Sequence, residues 1–361
     1  MNGKYHESEG RARPDRPPGH DEGGEGREPP PLTARNCWIV TDGKAGDETQ
    51  CIGVAEALSL PHELHRVKPR APWRWLMPRF GVIDPREAPG APGSPLAPPF
   101  PDMVIASGRR AVSYLGHIKR ASGGRTFTVF LKDPRAGNGI ADFIWVPDHD
   151  RLRGDNVLVT ATGPHRFSRQ RIEAARKAPP AEIAALPHPR VAVLVGGDSR
   201  HYRFNDIDTE RFLKGLHRFE AEGARFMITG SRRTPAALHD AVSVLARDGG
   251  HLMWDGGAAN PLLSYLANAD AIVATADSAN MVGEALVTGK PLHVFHPSGG
   301  HRKFEEFIAG LTRMGVVHPF PGPLKETTYE PIDATPRIAA AIRWRYLAHR
   351  NRIDAGAAAE G

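Results

Sequence analysis

The stretch that decides the fold is residues 269–295, ADAIVATADSANMVGEALVTGKPLHVF. Its short apolar run Ala271–Thr275 is rich in strand formers and predicts a buried parallel strand. Apolar residues at helical spacing then predict a helix from Ala279 to Val287, which Gly289 ends. Since Pro291–Phe295 begins another apolar run, the stretch is predicted to form a complete strand–helix–strand unit.

Polar residues lie at the junction between that strand and its helix. Asp277 and Ser278 offer capping side chains, and open α/β sheets bind ligands at the carboxyl ends of their strands. The helix N-terminus adds N–H groups that favour an anion. We therefore expect a ligand at this junction. The alternative is that Ser278 is only a helix cap and Glu284 only a solvated helix residue.

The composition is that of a globular protein. A chain of 361 residues, with 40% hydrophobic and 24% charged side chains, is long enough for two domains of ordinary size. The formal net charge of +6 favours an anionic ligand or surface. Nucleic acid is disfavoured as a partner, because aromatic residues make up only 7% and no zinc-finger or RNA-binding signature occurs.

The two cysteines and the length of the apolar runs bear on location. Cys37 and Cys51 do not make a disulfide framework, and we expect reduced, buried thiols. No apolar run approaches the roughly 20 residues of a membrane helix, and the amino terminus lacks the basic-then-apolar order of a signal peptide. The sequence therefore predicts a soluble, cytoplasmic protein, with peripheral contact at the inner membrane left open.

Changes in composition divide the chain into segments. Residues 1–35 are rich in Gly, Pro, Arg and Glu and are predicted to be a disordered tail. Alternating strand and helix patterns predict one Rossmann-like domain over 36–178 and a second over 191–325. Between them, the proline-containing residues 179–190 are predicted to be a linker. A single apolar stripe predicts a terminal helix over 333–350.

The turn after the first predicted strand, Cys37–Thr41, lies within residues 42–50, DGKAGDETQ. A Gly-x-x-Gly turn at a strand-to-helix junction exposes backbone N–H groups that suit a phosphate or a sugar hydroxyl. The alternative is a simple turn, and the spacing is not that of a Walker loop. Asp47 is a candidate catalytic residue of this turn. The residues predicted to contact substrate are Gly43, Lys44, Gly46 and Gln50.

The second half of the chain offers groups for a phosphate. Gly196 and Gly197 directly follow a predicted strand, which lets a phosphate approach the backbone, and Ser199 adds a hydroxyl. Arg232 and Arg233 follow the adjacent strand and are placed for charge-assisted bonds to a diphosphate, the alternative being a solvated surface pair. The glycines lack the Gly-x-Gly-x-x-Gly spacing, so NAD is disfavoured.

Two further segments each allow more than one interpretation. His165 follows the last predicted strand of the first half, and it is a candidate base near neutral pH or a histidine that caps or packs. Residues 71–80, APWRWLMPRF, are aromatic and basic. They suit an acceptor or membrane-surface platform, but ordinary packing under a loop is the preferred interpretation.

Five spaced motifs carry a resemblance to a known family. They occur in order over Cys37 to about Leu311, at residues 41–46, 162–166, 196–199, 228–235 and 277–278. In the order and spacing of these motifs, the chain resembles the mitochondrial-fission "elongated mitochondria" family. The bacterial members of that family look like GT-B glycosyltransferases and nucleoside-diphosphate-sugar epimerases. This chain departs from many relatives at Asp47 and Thr49, where those have histidine and asparagine.

The resemblance implies a GT-B-like α/β fold, with two doubly wound Rossmann-like domains facing a cleft and the last helix returning to the first domain. It places Asp277, Ser278 and Glu284 at a nucleotide-sugar site, with Glu284 on the ribose hydroxyls. In GT-B enzymes basic side chains usually stabilise the leaving diphosphate, so no metal is expected. No cofactor is expected either, because the nucleotide sugar is the substrate.

The function implied by the resemblance is transfer of a sugar from a nucleoside diphosphate to an unknown acceptor, such as a cell-envelope glycan or lipid. One alternative is a nucleoside-diphosphate-sugar epimerase on the same fold. Another is a non-enzymatic, membrane-associated protein of the mitochondrial-fission type. The expected partners are therefore a nucleotide sugar, an acceptor and a membrane surface, and nucleic acid is not among them.

Overall fold

The computed structural model describes residues 28–257 and 259–360, and short apolar runs form its strands. The first six strands are β1 (Cys37–Thr41), β2 (His62–Arg66), β3 (Met103–Ser107), β4 (Phe127–Leu131), β5 (Phe143–Pro147) and β6 (Val157–Thr160). They form one parallel sheet in the order β2-β1-β3-β4-β5-β6. Helices α1 (Ala45–Ala57) and α3 (Ala111–Ala121) pack on its opposite faces, and the short helix α2 (Trp73–Leu76) follows β2.

A second parallel sheet is built from the rest of the chain. Its strands are β7 (Arg190–Val195), β9 (Arg225–Gly230), β10 (Leu252–Met253), β11 (Ala271–Thr275), β12 (Leu292–Phe295) and β14 (Val317–Phe320). Their order is β10-β9-β7-β11-β12-β14. The helices around it are α6 (Asp206–Ala221), α7 (Ala236–Asp248), α8 (Leu262–Asn268), α9 (Ala279–Leu286) and α10 (Arg302–Arg313). A two-stranded antiparallel ribbon joins β8 (Tyr202–Arg203) to β13 (Ser298–Gly299).

The predicted fold class is confirmed. Each sheet is doubly wound, because the chain adds strands first to one side of its initial strand and then to the other. The order reverses between β1 and β3 in the first sheet, and between β7 and β11 in the second. Such reversal points leave a crevice at the carboxyl ends of the two strands, where α/β proteins bind ligands.

The end of the chain lies on the first sheet. Helix α11 (Thr335–Glu360) buries Ile338, Ile342 and Tyr346 in the same core as Phe127 of β4. The rings of Tyr346 and Phe127 meet edge to face with centroids 5.7 Å apart. The helix runs further toward the carboxyl terminus than the predicted span 333–350, but residues 351–358 are mostly exposed, so the docked part ends where the apolar stripe ends.

Residues 179–190, predicted to be a linker, instead pack on the second sheet. Helices α4 (Arg169–Lys177) and α5 (Ala181–Ala184) precede β7, and α4 packs against α8. Ile172, Ile183 and Leu186 are buried in the core beside β7 and β11. The prolines suggested an open connection, but the aliphatic residues between them cover one face of the sheet. The boundary at residue 178 therefore lies too late in the chain.

Other predictions have mixed outcomes. Strand β14 was missed, because His318 and Pro319 interrupt its apolar pattern; it pairs with β12 at the sheet edge. Cys37 and Cys51 are buried free thiols, as expected. Most of the predicted tail, residues 1–27, lies outside the described residues, whereas Leu32 packs against the first core. Within the described part of the chain, no helix is both long and apolar enough to cross a membrane.

Candidate functional site

The carboxyl ends of the two sheets face each other. Helix α1 follows β1 and α9 follows β11, so both helices begin at these ends. Asn280 in the first turn of α9 donates its amide to the Gly46 carbonyl at 3.3 Å and accepts a hydrogen bond from Gln50 Nε2 at 3.1 Å. Lys303 of α10 pairs with Asp150, beyond β5, at 2.5 Å. The two reversal points therefore lie on opposite walls of one cleft.

Asp277 joins three loops of the second wall. Its side chain is 0% exposed. One carboxylate oxygen accepts a hydrogen bond from the Thr275 hydroxyl at 2.7 Å, and the other accepts from the Gly197 N–H at 3.1 Å and from Arg233 at 2.8 Å. The loops after β7, β9 and β11 are thereby fixed to one buried charge. Asp277, predicted to bind the ligand, is committed to protein groups instead.

The close approach of these loops explains the two glycines after β7. A Cβ on Gly196 would lie 1.9 Å from the Asp277 carboxylate, and one on Gly197 would lie 2.0 Å from the Arg233 carbonyl. Both distances are far below any van der Waals contact. The structure therefore requires glycine at both positions for packing between loops, whether or not a phosphate also approaches the backbone there.

The two adjacent arginines differ in what they contact. Arg233 pairs with Asp277 and donates to the Asp198 carbonyl at 3.0 Å, so its guanidinium is largely used within the protein. Arg232 is exposed and makes no hydrogen bond or ion pair within residues 28–257 and 259–360. Of the predicted pair, Arg232 is therefore the guanidinium that remains available to an anionic ligand.

The two predicted serines shape their own loops. Ser278 caps α9 by accepting a hydrogen bond from the Met281 N–H at 3.4 Å. Ser199 accepts from the N–H groups of His201 and Tyr202 at 3.2 and 3.1 Å. Each oxygen acts as an acceptor in these contacts, which leaves the hydroxyl hydrogen able to donate. The first N–H groups of α9 also have no partner within the helix.

Glu284 lies on the side of α9 that faces the cleft. It follows Asn280 by four residues, which places both on one helix face, whereas Val282, Ala285 and Leu286 enter the core. Burial raises the pKa of the Glu284 carboxyl from its usual value near 4.5 to about 7. Its side chain is only partly exposed, in contrast to the solvated position that the helical pattern allowed. No described residue pairs with this carboxylate.

The turn after β1 forms part of the opposite wall. Gly43 has φ of +85° with open space around it, and no side chain caps the N-terminus of α1. Lys44 is exposed and pairs with Asp42 at 3.4 Å. The second Asp42 oxygen, Oδ1, is buried and has no hydrogen-bond partner within the described chain. Gly46 and Gln50, in contrast, are used by Asn280 across the cleft.

Asp47 forms an ion pair within the first wall. Its carboxylate is 2.5 Å from the Nζ atom of Lys132, the residue that follows β4. Lys132 adopts φ of +82°, a backbone conformation that residues other than glycine rarely take. Such backbone strain concentrates at functional sites. The pair therefore places a carboxylate and an ammonium at the carboxyl edge of the sheet, with the lysine about two-fifths exposed.

His165 occupies a buried position. It is 4% exposed, its Nδ1 accepts a hydrogen bond from the Phe167 N–H at 3.2 Å, and its Nε2 lies 3.4 Å from Asp333. Burial lowers the pKa of the ring. Its backbone N–H donates to Thr335 at the start of α11. These contacts match the alternative of a packing histidine, and its role as a base stays a prediction.

Sequence reasoning missed two contributors to the site. Asn280 stands inside the stretch that decides the fold, but its partners are 234 and 230 residues away in sequence. Lys132 directly follows the apolar run of β4, and its backbone conformation has no sequence signal. No group of three or more potential metal-binding side chains occurs among the described residues.

Comparison with known proteins gives the family. The sequence profile described as Mitochondrial fission ELM1 matches residues 45–346, which is most of the chain. The chain belongs to this family. It is 30% identical over 277 residues to mitochondrial fission protein ELM1 of Arabidopsis thaliana, a match that covers 69% of this chain and 65% of the plant protein, slightly less than two thirds of its length.

A bacterial relative matches over a larger share. An uncharacterized protein of Rickettsia prowazekii is 26% identical over 365 residues, covering 86% of this chain and 98% of the relative. Among solved structures, the UDP-GlcNAc 2-epimerase of Methanocaldococcus jannaschii superposes with a TM-score of 0.51 at 10% identity, covering 86% of this chain and 99% of that one. The structural similarity to the epimerase shows that this chain has the GT-B-like fold.

The buried carboxylate of Asp277 leads to a prediction about stability. In Asp277→Asn the negative charge opposite Arg233 is lost, and the amide nitrogen must face either Thr275 or the donors Gly197 and Arg233, so at least one hydrogen bond to the carboxylate is lost as well. We expect the free energy of unfolding to fall by about 2–3 kcal/mol. Urea unfolding of Asp277→Asn and of the exposed control Asp240→Asn measures the effect. Equal stability of the two variants would contradict the role given to Asp277.

Proposed function

We propose that this protein binds a nucleoside-diphosphate sugar in the cleft and transfers the sugar to an acceptor. The observation that carries the proposal is Glu284, a desolvated carboxylate on the cleft side of α9 with no partner in the described chain. A buried charge without a partner is costly, and protein sites retain one where a ligand supplies the missing hydrogen bonds. Two ribose hydroxyls are donors of the required kind.

Space beside the helix supports this assignment. Gly283 is buried, yet a Cβ built on it would meet no atom within 4 Å. The residue next to Glu284 therefore borders an open volume that the described residues do not fill. Since Asn280, Gly283 and Glu284 share one side of α9, this volume lies toward the cleft. A sugar ring or the edge of a planar base fits beside a glycine where a larger side chain would block it.

The diphosphate would bind near the start of α9. The first N–H groups of the helix and its dipole favour negative charge, and Ser278 offers a hydroxyl there. Arg232, on the loop after β9, supplies a guanidinium that has no partner in the described part of the chain. In the transfer step, these groups would stabilise the charge that develops on the departing nucleoside diphosphate. Asp277 and Arg233 act indirectly, because they hold the loops that carry these groups.

The opposite wall would bind the acceptor. The hydroxyl of the acceptor attacks the anomeric carbon of the sugar, and the bond from that carbon to the diphosphate oxygen breaks. A base takes the proton of the attacking hydroxyl. Asp47 is the carboxylate nearest to this role, since it lies in the first turn of α1 beside Gly46, which touches α9. Lys132 orients it through an ion pair. The exposed Lys44 and the unpartnered Asp42 oxygen offer contacts to acceptor hydroxyls.

Nucleotide binding is tested by thermal stability. A ligand that binds only the native state adds about 2.7 kcal/mol at a hundredfold excess over its dissociation constant. We expect UDP, or another nucleoside diphosphate, to raise the melting temperature, and the matching nucleotide sugar to do the same. No shift with any nucleotide or nucleotide sugar would contradict the proposal. Conversion of the sugar nucleotide to its epimer without release of nucleotide would contradict transfer.

Arg232→Ala tests the diphosphate position. Removing the guanidinium should weaken binding of the nucleoside diphosphate by about tenfold and leave the free nucleoside nearly unaffected, since only the phosphates carry negative charge. Isothermal titration of both ligands measures the difference. Arg313→Ala, an exposed arginine at the far end of α10, is the matched control. An equal loss for nucleoside and diphosphate would place Arg232 away from the phosphates.

Glu284→Ala tests the ribose assignment. Loss of hydrogen bonds to a charged group should weaken UDP binding by roughly one to two powers of ten, whereas 2′,3′-dideoxy-UDP should bind wild type and variant equally. The pKa of Glu284 is raised in the folded state, so its carboxylate lowers stability as pH rises from about 4.5 to 7. We therefore expect the unliganded variant to gain stability relative to wild type over that range.

Two measurements separate this site role from a structural one. Melting temperature across pH reports the unliganded protein, and titration with UDP and its dideoxy analogue reports the ribose contact. A variant that melts earlier at pH 8 but binds UDP normally would show that Glu284 serves the scaffold. A parallel loss of affinity for both nucleotides would show that Glu284 does not contact the ribose hydroxyls.

A further inference from the structure

Three large hydrophobic side chains in α2 and the loop that follows it are exposed. Trp75 is 67% exposed, Phe80 66% and Leu76 36%, and they lie within six consecutive residues. The other exposed large hydrophobic residues of the described chain, Ile207, Val244 and Met314, are scattered singly. The preferred interpretation of residues 71–80 as packing under a loop is therefore wrong for Trp75 and Phe80. A cluster of exposed aromatic residues marks an interaction surface.

The segment that presents these side chains is anchored in the fold. Met77 is 1% exposed and packs in the core on the α3 side of the first sheet. Arg70 makes two hydrogen bonds to the buried carboxylate of Asp84, each at 2.9 Å. These anchors lie on both sides of α2. Trp75 and Phe80 are therefore held outward by buried neighbours on the same segment.

The segment that carries the exposed aromatics has charges of one sign. Between Glu63 and Asp84 the sequence has five lysines and arginines and no acidic residue. Arg66 and Arg70 have acidic partners, Glu48 and Asp84. The remaining three make no ion pair within the described chain, and one of them, Arg74, lies over the Trp75 ring with its guanidinium carbon 5.5 Å from the centroid. Those three are Lys68, Arg74 and Arg79.

We propose that this aromatic–basic patch, Arg74, Trp75, Leu76, Arg79 and Phe80, docks the protein on the surface of an anionic lipid bilayer. Tryptophan and phenylalanine insert favourably at the boundary between headgroups and acyl chains. Unpaired arginines beside them meet the negative surface potential of the lipid phosphates. Aromatic rings that are about two-thirds exposed, next to basic side chains with no acidic partner in the described chain, together favour an anionic bilayer over an acidic protein.

The position of the patch relates membrane contact to the cleft. The segment that carries the patch follows the carboxyl end of β2, the strand that pairs with β1. Further along the chain, Glu87 accepts a hydrogen bond from Tyr114 of α3. The carboxyl edge of the first sheet is also the cleft wall that carries Gly43 and Lys44. Docking through the patch would therefore bring that wall close to the bilayer. The docking itself does not depend on nucleotide binding.

Vesicle sedimentation with the full chain tests the proposal. We expect the protein to sediment with vesicles of phosphatidylcholine mixed with phosphatidylglycerol, and to be released by high salt, because screening weakens surface charge interactions. Vesicles of phosphatidylcholine alone should bind much less. Failure to bind the anionic vesicles would overturn the proposal, and so would equal binding to both kinds of vesicle.

Variants assign the binding to named side chains. Trp75→Ser with Phe80→Ser should reduce the partition coefficient by about tenfold or more, and Arg74→Gln with Arg79→Gln should reduce it by about fivefold for each charge removed. Ile207→Ser with Met314→Ser is the matched control and should bind as wild type does. Because all these side chains are exposed, melting temperatures should stay unchanged. Loss of binding in the control, or full binding in both patch variants, would overturn the assignment.

Discussion

The buried carboxylate of Asp277 is the interaction on which the second half of the cleft depends. One charge is satisfied by a hydroxyl, a backbone N–H and a guanidinium that come from the loops after three adjacent strands. Holding those loops together forces glycine at positions 196 and 197, since any Cβ there would collide with the carboxylate or with the Arg233 carbonyl. The same contacts fix the start of α9, where an anionic ligand has its most favourable field.

Local patterns in the sequence predicted most of the fold. The stretch 269–295 gave a strand, a helix and a second strand whose observed bounds differ from the expected ones by one residue or less. Apolar runs and helical spacing are local, so they are readable without knowing what they pack against. The prediction failed where packing overrides pattern. Strand β14 is held by pairing with β12 despite Pro319, and the prolines of residues 179–190 flank Ile183, which is fully buried.

The candidate site was predictable in place but only partly in role. Gly43, Gly196 and Asp277 follow the strands that meet at the two reversal points, but that any of them binds a ligand stays a prediction. Whether such a residue meets a ligand or builds the loop depends on partners far away in sequence. Two of the three partners of Asp277 lie 44 and 80 residues away, and the two partners of Asn280 lie more than 200 residues away. Glu284 differs from these residues because its hydrogen-bonding capacity is unmet by the described chain.

The contact of Asn280 with α1 and the carboxylate of Glu284, which has no partner in the described chain, lie close together on α9. Asn280 holds α9 against α1, and Glu284 lies one turn further along the same helix face. Burial raises the pKa of Glu284, so an ionised carboxylate without a partner in the described chain costs free energy at neutral pH. A ligand that donates two hydroxyl hydrogen bonds to it would offset that cost, next to the contact that joins the two walls.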